Sequence, residues 1–250
     1  MKMHLVFLIV VSVFFSFSAC DDDNAGQAAD GGTDGDTDGD ADGDTDSDSD
    51  DAMVNVSVEL LDAVTSQAPD AFEVVNAAGG SPIPAEDGAA MVPTAKNQPF
   101  ELIASASNYA DYHLFGMAGE EDFSLTSFCT TETVSNQVLG MLGITPDSSK
   151  GYVVVGMDTP SLAPAVGACA SIDAESAEPF IFVGGTPQAG NQVVSGGSSF
   201  VTFPNTAPGE VNITVTPPDG QTCYAFPGPE DLTTITAYAG AVAVISYTCI

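Results

Sequence analysis

Residues 53–62 read Met-Val-Asn-Val-Ser-Val-Glu-Leu-Leu-Asp, and apolar and polar side chains alternate along most of this stretch. The apolar positions of the alternation are Val54, Val56, Val58 and Leu60. Because successive side chains of a β-strand point to opposite faces, one face of this segment carries only apolar groups. The stretch therefore predicts a strand that buries one face in a hydrophobic core.

The same alternation returns along the rest of the chain. It is found at 100–104, 180–183, 211–215 and 241–245. Clusters of Gly, Pro, Asp and Ser, such as those at 79–82 and 217–220, separate these runs. Short strands punctuated by turn residues at about ten-residue spacing are typical of antiparallel β-sandwiches. We therefore predict an all-β protein.

The β-rich pattern runs twice, which predicts two tandem Greek-key β-sandwich modules. The first module is expected at 53–128 and the second at 151–250, with a connector at 129–150. One short helix is predicted in the connector, because Thr133 can cap residues 134–142 and Gly143 follows their end.

Both units contain turn and core residues that occur in a known family. The second unit carries Gly167-Ala168 followed by the run 205–209, Asn-Thr-Ala-Pro-Gly. The first has Asn108-Tyr109 where Gly-Tyr is usual, and it lacks the Gly-Ala pair. In this order the motifs resemble the carboxypeptidase regulatory-like modules, which are small transthyretin-like sandwiches. The resemblance implies a fold and an accessory role without catalytic residues.

The first nineteen residues have the features of a signal peptide. A basic start is followed by thirteen apolar or small residues at 5–17 and then by Ser18-Ala19-Cys20. A bilayer-spanning helix needs about 20 residues, so this run is too short to cross a membrane. The end resembles a bacterial lipobox, although Phe17 replaces the usual Leu, and implies diacylation of Cys20. The alternative is ordinary cleavage after Ser18, which would give a soluble secreted protein.

Residues 20–52 form a strongly acidic stretch. Fourteen Asp and no Glu, Lys or Arg occupy positions 21–51. Such a composition cannot bury enough apolar surface to fold, so we predict a disordered, extended tether. The runs 34–39 and 38–43 match the opening of an EF-hand calcium loop. However, Thr45 or Ser49 stands where that loop needs Glu, so only weak, diffuse binding of divalent cations is expected and no metal site.

The residues after Cys20 bear on localisation. Asp21-Asp22-Asp23 resembles two lipoprotein sorting patterns. In enteric bacteria Asp after the cysteine retains the protein at the inner membrane, whereas in other Gram-negative groups acidic residues there mark surface export. A long tether suits surface display. We therefore expect an envelope lipoprotein held in the membrane by the lipid on Cys20, with the outer membrane or cell surface favoured and the inner membrane as the alternative.

The chain contains five cysteines. If Cys20 carries lipid, an even set of four remains for disulfides in an oxidising compartment: Cys129, Cys169, Cys223 and Cys249. Four cysteines allow three pairings. We favour Cys129–Cys169 and Cys223–Cys249, because each pair then falls within one expected domain. The absence of a Cys-x-x-Cys motif gives no support to zinc or thioredoxin-type chemistry.

The charge inventory excludes several functions. The formal net charge is −32, and Lys96 and Lys150 are the only Lys or Arg residues after the leader. Because nucleic-acid affinity depends on Lys and Arg contacts to phosphate, nucleic-acid binding is excluded. Binding to anionic lipid headgroups is excluded for the same reason. No cofactor is indicated.

Catalytic motifs are missing from the sequence. It has no Gly-x-Ser-x-Gly, no P-loop and no His-Glu-x-x-His. A Ser/His/Asp triad would need His113, which we interpret as a half-exposed structural residue of a strand. Glu120-Glu121-Asp122 is the densest carboxylate cluster of the body, and we interpret it as a solvated turn. We therefore predict a non-enzymatic protein that binds a protein or glycan ligand. The alternative is a structural envelope component packed against another envelope protein, and a more distant one is a carboxylate-based hydrolase.

Overall fold

The computed structural model describes residues 52–227 and 232–250. The leader, Cys20 and the acidic stretch to residue 51 lie outside this range. Sixteen strands and one helix are present in the described residues. In chain order they are β1 (Met53–Asp62), β2 (Phe72–Asn76), β3 (Ile83–Pro84), β4 (Ala89–Ala95), β5 (Pro99–Ala106), β6 (Tyr112–Met117), β7 (Phe123–Cys129), α1 (Glu132–Met141), β8 (Gly151–Asp158), β9 (Cys169–Ile172), β10 (Phe180–Val183), β11 (Thr186–Ala189), β12 (Phe200–Thr206), β13 (Gly209–Thr216), β14 (Cys223–Ala225), β15 (Thr234–Ala237) and β16 (Val242–Cys249).

A ten-stranded sheet forms the centre of the molecule. Its strand order is β11-β10-β12-β8-β16-β6-β5-β2-β3, and β14 pairs with the end of β16. The last strand, β16, lies between β8 and β6 and runs parallel to both. Strands from both halves of the chain are therefore hydrogen-bonded into one continuous sheet.

Two three-stranded sheets cover opposite faces of the central sheet. The sheet β4-β1-β7 closes the first core, which it shares with residues of β2, β5 and β6. The sheet β15-β13-β9 closes the second core over β8, β12 and β16. The molecule thus consists of two sandwiches that share a sheet.

Strand β16 contributes to both cores. Ala243 and Ile245 belong to the second core, whereas Val242 and Val244 pack with the first. A strand that is buried on both faces needs apolar residues at successive positions rather than at alternate ones. The run Ala-Val-Ala-Val-Ile at 241–245 supplies them.

The all-β prediction with one short helix is confirmed, and strands lie where the alternation placed them. The helix cap was predicted wrongly. Helix α1 begins at Glu132, and its N-cap is Thr131, whose side chain accepts a hydrogen bond from the Val134 N–H at 3.4 Å. Thr133 is already inside the first turn, so it cannot serve as the cap. The boundaries 53–128, 129–150 and 151–250 stay a prediction.

One of the two expected disulfides is present. Cys223 and Cys249 face each other on β14 and β16, with Cα atoms 4.0 Å apart, and are bonded. The predicted Cys129–Cys169 bond is not formed, because both residues are free thiols. Cys129 ends β7 in the first core, whereas Cys169 begins β9 over the opposite face of the central sheet. The central sheet therefore separates the two thiols.

Candidate functional site

An open groove of about 410 Å³ lies where β15 stands beside the outer face of β5 and β6. Phe100, Glu101 and Phe115 line it from the central sheet, and Leu232 and Thr234 line it from the segment entering β15. The turn after β2 and the end of β4 complete the lining. Both halves of the chain therefore contribute to this groove.

Strand alternation places Glu101 in the groove. Its neighbours Phe100 and Leu102 point into the first core, so Glu101 points out on the other face of β5. On β6, His113 and Phe115 share that outer face, because Tyr112 and Leu114 are in the core. Glu101 on β5 and His113 on β6 are therefore diagonal neighbours across the two strands.

Glu101 and His113 form a short hydrogen bond, with 2.6 Å between Oε1 and Nδ1. An ionised carboxylate can only accept, so the imidazole Nδ1–H donates. His113 is 8% exposed, which corrects its interpretation as half-exposed. The ring of Tyr238, packed against β6, contributes to this burial.

Tyr238, just after β15, covers His113. The two rings are stacked, with centroids 4.1 Å apart and planes 22° apart. The pKa of Tyr238 is raised by burial and then by its hydrogen bond to Glu101 and the charge of that carboxylate. Glu101 therefore contacts both rings. With one nitrogen bonded to Glu101 and one face covered by Tyr238, His113 has a structural role at the junction.

The cluster Glu120-Glu121-Asp122 lies in the turn before β7, as the sequence suggested. Asp122 accepts hydrogen bonds from the Asn55 backbone N–H at 2.7 Å and from its amide at 3.3 Å. These bonds hold the pKa of Asp122 below its usual value. An exposed carboxylate with a lowered pKa is a poor proton donor, so Asp122 lacks the environment that general acid catalysis needs.

Residues 52–227 and 232–250 contain no group of three or more His, Cys, Asp or Glu side chains placed to hold a metal ion. Within the same ranges, no helix combines the length and the apolar character of a membrane span.

Within residues 52–227 and 232–250, the lining of the groove carries a single ionisable group. Glu101 is the acid, and the other lining residues are apolar side chains, Asn76 and two threonines. Lys150 is engaged elsewhere, with its Nζ 2.7 Å from Glu175 Oε1. Among the described residues, the groove is therefore a mostly apolar channel with one carboxylate, which is paired with His113.

No family model and no curated protein matches this chain. Among solved structures it is similar to the Bacillus anthracis TIE protein, with 13% identity and a TM-score of 0.25 over 79% of this chain and 34% of that one. A Streptococcal ancillary pilin shows 12% identity and a TM-score of 0.24 over 79% of this chain and 63% of that one. The Streptococcus pyogenes major pilin T-13 shows 8% identity and a TM-score of 0.26 over 79% of this chain and 96% of that one. The chain thus spans about a third of the first of these proteins and less than two thirds of the second.

Proposed function

We propose that this protein is a non-enzymatic envelope lipoprotein whose β-sandwich body binds a ligand in the groove beside Glu101. The main observation in support of the proposal is the groove itself, which is lined by residues from both halves of the chain and contains the carboxylate of Glu101. Its volume of about 410 Å³ is in the range of ligand sites, and its apolar lining with few polar groups is typical of them.

The remaining parts of the chain fit display of this groove away from the membrane. Lipid on Cys20 would anchor the protein, and residues 21–51 would act as an acidic spacer that attracts divalent cations only diffusely. The outer membrane or cell surface is the favoured location. The body would consist of carboxypeptidase regulatory-like modules, which serve as binding elements for a protein or glycan in this proposal.

The anchor is tested with Cys20→Ser in the native host. Lipidation predicts that wild-type protein stays with membranes and incorporates labelled fatty acid, whereas the variant is released. Equal release of both would contradict the anchor. Protease shaving of intact cells then separates display from a buried envelope role, because a displayed body is digested and a buried one is spared.

The groove is tested by ligand screening of the full chain against glycan and protein panels. Phe115→Ala removes a ring from the lining, and Glu120→Gln is the control, because Glu120 is exposed in a turn outside the lining. We expect a ligand whose affinity falls at least about tenfold with Phe115→Ala, a loss of about 1.4 kcal/mol, and does not change with Glu120→Gln. Equal affinity of both variants for every ligand found would contradict the proposed site.

A further inference from the structure

Strand β15 is an edge strand with a free side. Within the described residues it pairs with β13 alone. The Ile213 N–H donates to the Thr233 carbonyl at 2.7 Å, so those two residues form a hydrogen-bonded antiparallel pair. Because such pairs alternate along a ladder, the backbone N–H and C=O groups of Thr234 and Thr236 point away from β13. They are available to another strand.

This free side faces the groove. Thr234 is part of the groove lining, and Tyr238 reaches across to His113 on β6. The central sheet, on which the small sheet β15-β13-β9 lies, extends past β15 to β5 and β2. The outward side chains Ile103 and Phe115 are only half-buried there. The small sheet of the second sandwich is thus narrower than the sheet on which it lies, and Phe115 shares the groove lining with Thr234 of β15.

Strand β15 carries none of the residues that protect edge strands. Natural edges are protected by short length, lysines, prolines or bulges, and β15, at four residues, has only its short length. The sequence of β15 is Thr-Ile-Thr-Ala, with no charge and no proline. Its β-branched residues favour an extended partner. A glycan would leave this row of backbone groups largely unused, whereas a peptide strand would pair with it.

The charge of the groove specifies a basic occupant. Glu101, whose Oε1 is bonded to His113, is the one ionisable group of the lining among the described residues, and the chain as a whole has a formal net charge of −32. A field of this sign attracts basic partners and repels acidic ones. The aliphatic stem of a lysine can pack on Phe115 while its ammonium approaches Glu101.

We propose that an extended segment of a partner protein docks in the groove as an additional strand on β15, with a lysine of that segment beside Glu101. This inference rests on the proposed function, because it names the ligand class of the same groove. The added strand would satisfy the outward backbone groups of Thr234 and Thr236 and cover Ile103 and Phe115.

The probe is an acetylated and amidated heptapeptide, Thr-Val-Thr-Lys-Thr-Val-Thr, titrated into the full chain. Versions with Glu or Gln in place of Lys test the charge, and a version N-methylated at alternate residues removes the peptide donors without changing the protein. We expect the Lys peptide to bind and to slow amide exchange at Thr234 and Thr236. The Glu and N-methylated peptides should not bind.

The protein variant for this test is Glu101→Gln, with Glu120→Gln as the matched control. Partly exposed ion pairs contribute up to about 1 kcal/mol, so Glu101→Gln should weaken the Lys peptide about fivefold and remove its advantage over the Gln peptide. Glu120→Gln should leave both affinities unchanged. Because the peptide versions alone test the pairing, the result does not depend on how well a variant folds.

The proposal is overturned if the Lys peptide does not bind at millimolar concentration, if it binds without protecting Thr234 and Thr236, or if Glu101→Gln and Glu120→Gln act alike. These failures are distinguishable from failure of the proposed function. A glycan or folded protein that loses affinity with Phe115→Ala would keep the groove as a binding site and reject the added strand.

Discussion

The ring of His113 on β6 lies against the ring of Tyr238, with 4.1 Å between centroids, and Glu101 is hydrogen-bonded to both residues. Tyr238 follows the last strand of the small sheet over the second core, whereas β6 faces the first core. Glu101 lines the groove, and Tyr238 follows β15 directly. This contact therefore holds the end of β15 beside Glu101.

The stack should contribute measurably to stability. Tyr238→Phe keeps the ring contact and removes the hydrogen bond to Glu101, which should cost about 1 kcal/mol in the free energy of unfolding. Tyr238→Ala removes both and should cost about 2 kcal/mol or more, since aromatic pairs add about 0.5–1.5 kcal/mol. Urea unfolding measures both values. A Phe variant as unstable as the Ala variant would show that the ring contact contributes nothing.

The Cys223–Cys249 bond should stabilise the second core. It closes a loop with a sequence separation of 26, for which the chain-entropy relation gives about 3.5 kcal/mol. Replacing both cysteines by Ala should lower the free energy of unfolding by about that amount. Cys169→Ser is the control, since Cys169 is a free thiol. Equal stability of wild type and the double variant would contradict this role of the bond.

Two glycines should respond oppositely to alanine. A Cβ at Gly151 would overlap the Tyr238 carbonyl oxygen and lie 2.9 Å from that of Ala241. Backbone atoms cannot move aside easily, so Gly151→Ala should destabilise the protein by about 2 kcal/mol or more. Gly140 lies in α1 with nothing within 4 Å, so Gly140→Ala should stabilise it by up to about 1 kcal/mol. Thermal unfolding of the two variants compares these directions.

The thiol of Cys129 should be unreactive in the folded protein. Burial, and next the charge of Asp62, raise the pKa of this thiol from 9.0 to about 12. At pH 8 an alkylating reagent should therefore label the half-buried Cys169 first and Cys129 only after unfolding, as peptide mapping would show. Rapid labelling of Cys129 in the native protein would contradict this burial.

The same pKa shift predicts a pH dependence of stability. The folded state disfavours the thiolate, so the contribution of Cys129 is fully present below about pH 9. It is lost as the pH rises towards about 12, because the unfolded chain releases its proton first. Cys129→Ala should remove this part of the decrease in the free energy of unfolding at alkaline pH. Urea titrations at pH 8 and pH 10.5 would measure the difference.

The sequence predicted the strands well, because alternation and turn residues are local signals. The run 241–245 identified a strand, and its unbroken apolar character is consistent with burial on two faces. However, a pattern within one strand does not specify its neighbours. That β16 lies between β6 and β8 depends on contacts between residues far apart in the chain.

The candidate site was harder to predict from the sequence, for the same reason. His113 was visible as the one histidine after the leader, but its partners Glu101 and Tyr238 lie on different elements and match no motif. Glu101 appeared only as one polar residue in an alternating strand. The free thiols show the same limit, because assigning each pair to one domain took no account of the sheet between Cys129 and Cys169.

Native-state hydrogen exchange of the full chain shows whether β16 joins both sandwiches into one body that holds the groove. The backbone N–H groups of Phe115 on β6 and Val154 on β8 point to β16 from its two sides. If β16 joins the two sandwiches, both amides open with the same free energy, and this free energy decreases equally at both when Ile245→Ala creates a cavity in the second core. Exchange at Phe115 that is much faster than at Val154, and unaffected by Ile245→Ala, would contradict this joint body.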